Sequence, residues 1–240
     1  MHNLCAFRVS LQNYNFFSYF CMFKGKNMEI KTFYFNPLRE CCYLAWDDTR
    51  ECVFIDPGNY GEGELRRLQD FVAEHQLKPV KILLTHAHFD HVLGLEGVAR
   101  TWKLEVWMHP GDQEQLAHLN EWCAQLGLDY HSFSGPFHDL ADGDLIEFGH
   151  TTLKVLATPG HTRGCVCFYN EKDGTLFTGD TLFAGSIGRT DHLGGDYDQL
   201  IESINKKLLP LDGDVAIYPG HGPASSIGYE RATNPFLHSA

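Results

Sequence analysis

From residue 28 onward, short runs rich in β-branched and aromatic side chains alternate with longer stretches of helical period. The runs 33–35, 41–46 and 52–55 predict three strands with turn residues between them, and Asp56-Pro57-Gly58 closes the third. Within 62–75 the apolar residues Leu65, Leu68, Phe71 and Val72 recur at helical spacing. Residues 81–84 predict a strand, 92–101 a helix and 104–108 a strand. A second long helix over 111–126 puts Leu116, Leu119, Trp122 and Leu126 on one face. Strand signals follow at 145–148, 152–156, 165–169 and 176–178. A helix at 197–209, a strand at 215–218 and a last helix at 224–232 complete the order. One domain over 28–240, with sheets inside and helices outside, is the simplest packing. Adjacent Cys41 and Cys42 should face opposite sides of a sheet, while Cys165 and Cys167 should pack on one face of a strand.

Residues 1–27 break this pattern. Their aromatic stretch carries Gln12, Asn13, Asn15 and Ser18, and only Arg8 precedes it. A secretory signal wants a basic start, a clean apolar middle and a small-residue cleavage site. Met28 opens a plausible strand, so 1–27 is expected to be an N-terminal extension outside the core.

Composition narrows the function. The chain has 240 residues, 43% of them hydrophobic, which is ample for a core. Its net charge of -12 argues against a nucleic-acid surface, which needs a basic stripe, and against docking on anionic lipid. No run of about 18 apolar residues offers a membrane span. The eight cysteines form no Cys-x-x-Cys pair, so reduced thiols in a cytoplasmic protein are expected.

The chemistry concentrates in Thr85-His86-Ala87-His88-Phe89-Asp90-His91. Residues two apart in an extended segment point the same way, so His86 and His88 can grip one ion. Asp90 and His91 follow as the chain turns, within reach of a second. Imidazole nitrogen and carboxylate oxygen suit zinc, iron and manganese, and zinc is the first expectation. Three more strands end in such residues: His161 after Thr158-Pro159-Gly160, Asp180 after Gly179, and His221 after Pro219-Gly220. Loops from four strand ends can converge on one place, and glycine before a ligand permits a tight turn.

The string His86-x-His88-x-Asp90-His91, with His161, Asp180 and His221 in order, resembles the metallo-β-lactamase fold hydrolases over residues 29–236. The resemblance implies an α+β fold, an αββα sandwich with two divalent ions at one edge of the sheets. It implies that His86, His88 and His161 bind the first ion, that Asp90, His91 and His221 bind the second, and that Asp180 bridges them. Asp56 would orient ligands from behind. Within the fold, Phe177-Thr178-Gly179-Asp180-Thr181-Leu182-Phe183, Gly188-Arg189-Thr190-Asp191, Tyr218-Pro219-Gly220-His221-Gly222-Pro223 and Asn234-Pro235-Phe236 resemble the short, single-domain glyoxalase II-like branch. The implied reaction is hydrolysis of a small (2-hydroxy)acyl thioester by a metal-bridging hydroxide, with Asp90 guiding the water's proton.

Phe183, Arg189 and His192 are expected to contact substrate, Arg189 through a carboxylate. Few residues follow His221, and the family's Lys and Tyr after the glycine-rich loop are replaced by Arg189 and Thr190. Glutathione should therefore bind weakly. The rival readings are a mononuclear iron persulfide dioxygenase, which Pro219-Gly220-His221-Gly222 disfavours, and a non-catalytic metal-binding protein. The expected partner is a small-molecule thioester; oligomeric state is not legible.

Overall fold

A computed structural model describes residues 28–237. The extension expected at 1–27 lies outside the described residues. The first sheet has the order β1 (Met28–Phe35), β2 (Glu40–Asp47), β3 (Glu51–Ile55), β4 (Lys78–Leu83), β5 (Glu105–Met108) and β6 (Phe137–Asp139). Strands β1 to β3 pair antiparallel, and β3 to β6 pair parallel. Parallel neighbours need crossovers, which α1 (Gly61–Glu74), α2 (Phe89–Val92), α3 (Leu95–Trp102) and α4 (Gln113–Gln125) supply. The second sheet contains β7 (Leu145–Phe148), β8 (Thr151–Ala157), β9 (Val166–Asn170), β10 (Thr175–Gly179), β13 (Ala216–Pro219) and β14 (Ser225–Ser226), ordered β14-β13-β10-β9-β8-β7. A small hairpin pairs β11 (Leu182–Phe183) with β12 (Ser186–Ile187). Helices α5 (Tyr197–Ser203) and α6 (Ile227–Thr233) follow.

Three buried clusters define four layers. Leu65, Leu68 and Val72 of α1, Val98 of α3 and Leu119 of α4 pack on Cys42, Leu44 and Phe54 of the first sheet. Cys41, Tyr43 and Ile55 meet Val155, Phe168 and Phe177 between the two sheets. Leu200 of α5 and Ile227 of α6 cover Leu176 and Ile217 on the outer face of the second sheet. The expected αββα sandwich is therefore observed, with Cys41 and Cys42 on opposite faces of β2, as the two-residue period of a strand requires.

Several boundaries differ from expectation. The helix expected at 92–101 is two pieces, broken at Gly94, where a β-carbon would stand 2.0 Å from the Asn59 side chain. The helix expected from 111 opens as a 3-10 turn at Pro110–Asp112. The one at 197–209 ends as a π turn at Ile204–Leu208. Ser225 and Ser226 pair with β13, which delays the last helix to Ile227. Cys165 sits just before β9, against the backbone and hydroxyl of Thr162, while Cys167 joins the outer core. Both thiols are buried, and desolvation pushes that of Cys167 up to about 11, so neither resembles a nucleophile.

Strand direction gathers the site. β8 runs antiparallel to β9, β9 antiparallel to β10, and β10 parallel to β13. The carboxyl ends of β8, β10 and β13 therefore share one edge. Two backbone hydrogen bonds join the sheets nearby: Val166 N–H donates to Thr85 O at 2.9 Å, and Cys41 N–H to Gly220 O at 2.8 Å.

Candidate metal centre

All seven residues expected to be ligands meet at that edge. His86, His88, Asp90 and His91 follow β4, His161 follows β8, Asp180 follows β10 and His221 follows β13. One ligand atom each from His86, His88 and His161 lies within 4.8 Å of the others, and so do those of Asp90, His91 and His221. Asp180 stands between these groups. Its Oδ1 is 3.4 Å from His91 Nε2, and its Oδ2 is 3.5 Å from His161 Nε2 and 3.8 Å from His221 Nε2. One carboxylate thus faces both triads.

The donor set fits divalent ions on a physical test. Buried polar atoms are nearly always hydrogen-bonded, yet His86 Nε2, His91 Nε2 and Asp180 Oδ1 are buried without a hydrogen-bond partner. Two imidazole nitrogens and a carboxylate oxygen pointing into one small space are what an ion would satisfy.

Hydrogen bonds from behind fix the imidazoles. Asp56 Oδ2 accepts from the Thr85 hydroxyl at 2.5 Å and lies 3.0 Å from His91 Nδ1. Thr85 Oγ1 lies 3.0 Å from His86 Nδ1. A single consistent assignment has His86 Nδ1–H donate to Thr85 Oγ1, Thr85 O–H to Asp56, and His91 Nδ1–H to Asp56. Both Nε2 atoms then present lone pairs inward. Asp56 also accepts from Thr85 N–H at 2.7 Å, and its own backbone takes φ 51°, a conformation that non-glycine residues rarely hold. Asp56, His86 and His91 form a third close group. The carboxylate of Asp56 is already occupied by these donors and is placed to orient ligands rather than bind an ion. His161 Nδ1 donates to the Arg189 carbonyl at 2.7 Å, which leaves its Nε2 facing His88 and Asp180.

Burial, reinforced by neighbouring imidazoles, holds His86 and His88 well below the usual histidine range. Burial also lowers His161, against the pull of Asp180. Burial would lower His91 as well, but Asp180 and Asp90 outweigh it and raise the imidazole. Burial disfavours the ionised forms of Asp90 and Asp180, yet the surrounding histidines keep both carboxyls below their ordinary range. His86, His88 and His161 are thus held neutral and Asp90 and Asp180 ionised, as ligation of a divalent ion requires, while His91, raised by its carboxylate neighbours, would give up a proton to such an ion.

The three residues expected at the substrate line an open cavity of about 980 Å³ over the cluster. The Phe183 ring lies 6.4 Å from that of His221. His192 packs edge-on against His88 at 4.5 Å and His161 at 4.8 Å, so it belongs to the cluster's wall. Arg189 reaches the cavity, but its guanidinium forks onto Asp191, at 2.7 and 3.0 Å.

Two acids escape a reading of the sequence. Asp112 is fully buried and accepts from Ala87 N–H at 2.8 Å, Gly164 N–H at 2.7 Å and the Thr162 hydroxyl at 2.9 Å. It joins the loop of His86 and His88 to the loop of His161. The only local signal is Pro110-Gly111-Asp112 before a helix, which reads as a cap. Glu40 is fully buried, with neither carboxylate oxygen hydrogen-bonded, and burial pushes its carboxyl well above the usual range against the pull of His91. Nothing in its strand context distinguishes it.

A model of the metallo-beta-lactamase superfamily matches residues 37–221. The hydroxyacylglutathione hydrolase GloC of Haemophilus influenzae is 36% identical over 214 residues, 88% of this chain and 99% of that protein. Among solved structures, the BLEG-1 B3 metallo-beta-lactamase aligns with TM-score 0.81 and 36% identity, covering 88% of this chain and all of that one, 100%. TTHA1623, solved in a di-iron-bound form, aligns with TM-score 0.78 and 37% identity over 86% of this chain and 100% of its own. ETHE1 from Myxococcus xanthus aligns with TM-score 0.73 and 26% identity over 88% of this chain and 86% of its own. With the fold, the clustered histidines and a family match over most of its length, this chain belongs to the metallo-beta-lactamase superfamily.

Proposed function

We propose that this protein is a binuclear metal-dependent hydrolase of small (2-hydroxy)acyl thioesters, acting in the cytoplasm. The observation that carries the reading is Asp180, whose two oxygens face two separate ligand triads. His86, His88 and His161 would hold one ion, and Asp90, His91 and His221 the other. Zinc is the first expectation, with manganese also suited; the di-iron form of TTHA1623 makes iron a direct competitor. Bound divalent ions supply a water that is acidic near neutral pH and polarise a carbonyl oxygen.

The chain's own contribution is orientation and proton handling. Asp56 fixes one histidine of each triad, His86 through Thr85 and His91 directly. Asp90 Oδ2 lies 3.1 Å from His221 Nε2 and stays ionised, so it can take a proton at that oxygen. Phe183 and His192 wall the approach. The six cysteines among the described residues are buried and free, which supports a reducing compartment.

The likeness to GloC supports the thioester reading, and the likeness to ETHE1 keeps the mononuclear iron alternative in play. Elemental analysis of protein purified without chelator is expected to approach two ions per chain. S-lactoylglutathione should turn over with a high KM and a respectable kcat, because lost uniform binding raises KM more than it lowers kcat. Asp180→Ala should abolish hydrolysis and lower both metal contents. One ion per chain with oxygen uptake on a persulfide would replace the hydrolase with the dioxygenase. Turnover of a chromogenic β-lactam without any thioester would move the substrate class.

A further inference from the structure

We infer that the cavity over the cluster is built for an uncharged, apolar acyl chain well beyond the three carbons of a lactoyl group. The inference rests on the thioester reading and names its substrate class. The cavity holds about 980 Å³, at the upper end of the ordinary range for small-molecule sites. The metal ligands occupy only part of its lining.

The rest extends toward α4 and the β11–β12 hairpin. Phe89 and Trp122 form one wall, and Phe183 and Ile187 another. Leu38 and Leu126 stand at the mouth, 52% and 58% exposed. Large apolar side chains left open to water around a concave site mark where an apolar ligand is covered. Leu126 caps the C-terminus of α4 four residues after Trp122, and both line the cavity.

Charge excludes the other occupants. Among the described residues lining the cavity, Arg189 is the one lysine or arginine, and Asp191 sits in its guanidinium fork. That exposed pair is weak, but its net charge at the mouth is zero. The two carboxylates in the lining, Asp90 and Asp180, belong to the metal cluster. The carboxylates of a peptide thiol or the phosphates of a nucleotide thiol therefore find no lysine or arginine along the described walls beyond the Asp191-paired Arg189, only the polar side chains of Gln115, Gln125 and His192 outside the cluster, and the chain's net charge of -12 repels them at long range. The charged thiol carrier stays outside the mouth, and the acyl group fills the apolar arm.

The test is a series of acyl thioesters of one neutral thiol, N-acetylcysteamine, from acetyl to octanoyl, with the metal-loaded enzyme. kcat/KM should rise by up to about fourfold per added methylene, as full burial of each CH2 at about 0.8 kcal/mol predicts. Trp122→Ala should flatten that rise, and so should the milder Leu126→Asn, at the exposed C-cap of α4. A second readout avoids hydrolysis altogether. S-alkyl ethers of N-acetylcysteamine cannot be cleaved, and their affinity by calorimetry should rise with alkyl length in the parent and not in Trp122→Ala.

A flat series with measurable hydrolysis overturns the acyl arm and leaves the thioesterase reading intact. Ethers that bind more tightly with length, without turnover of any thioester, keep the arm and sink the thioesterase. A KM for lactoylglutathione far below that of every neutral thioester overturns the arm.

Discussion

Asp112 caps no helix, although it occupies the N-cap position of α4 and aspartate is a favoured cap. Its carboxylate is spent instead on donors 25, 50 and 52 residues away, on the two loops that carry His86, His88 and His161. Three donors converge on two oxygens, so an amide in place of the acid would set an NH2 against at least one of them. Asp112→Asn should therefore behave nearly as badly as Asp112→Ala. Both should weaken the first ion by about 10- to 100-fold, the usual cost of losing a group that orients ligands, while the second ion keeps its affinity. Competitive metal titration separates the two sites, and equal losses at both would reduce Asp112 to a general packing role. The contrast with the ligands explains what the sequence could carry. His86, His88, Asp90 and His91 are legible because local spacing alone aims them together. Asp112 and Glu40 are not, because their roles are set by partners distant in the chain.

Among the elements, those with a pattern of their own were legible and those defined by a neighbour were not. α1 follows its own apolar stripe of Leu65, Leu68 and Val72, and β2 is an unbroken apolar run from Cys41 to Trp46 buried on both faces. β6 and β14 exist because Phe137 meets Val106 and Ser226 meets Ala216, and two or three residues cannot announce such a pairing. One connection between elements is open to a pH test. Asp47, at the end of β2, accepts from the backbone and hydroxyl of Thr49, from His150 N–H and from the Thr151 hydroxyl. It ties the first sheet to the β7–β8 turn of the second. Burial would raise its carboxyl, but these donors outweigh that and hold it below the ordinary 3.8. A lowered carboxyl contributes stability that is present above 3.8 and is lost as pH falls through the folded value. Asp47→Asn should cost on the order of 1–3 kcal/mol at pH 7. The gap to the parent should narrow below about pH 4. Denaturant melts across pH decide it, and a gap independent of pH would mean that the ionised form is not what the donors hold.

At the scale of the whole molecule the centre is a clasp between two sheets. His86, His88, Asp90 and His91 come from the first sheet, and His161, Asp180 and His221 from the second. Without ions, three buried polar atoms here lack partners, and Asp90 and Asp180 lie together in one pocket. An ion in either triad would satisfy such atoms and link the sheets at their open edge, because each triad takes two residues from the first sheet and one from the second. The unfolded chain scatters the seven proposed ligands and would bind far more weakly, so metal binding would become folding stability. At a free concentration 100 times the dissociation constant, one ion adds about 2.7 kcal/mol. A domain of this size gains about 2–4 °C per kcal/mol, so each such ion should raise Tm by roughly 5–10 °C. Chelator-stripped protein titrated with zinc, manganese or ferrous iron under anaerobic conditions should give a rise that continues past the first equivalent. Asp180→Ala should reduce the increment from both ions, whereas His221→Ala should remove chiefly the second. A melting temperature unchanged between chelated and saturated protein would show that the clasp bears no part of the fold's stability, and a rise complete at one equivalent would leave the bridge of Asp180 without its second ion.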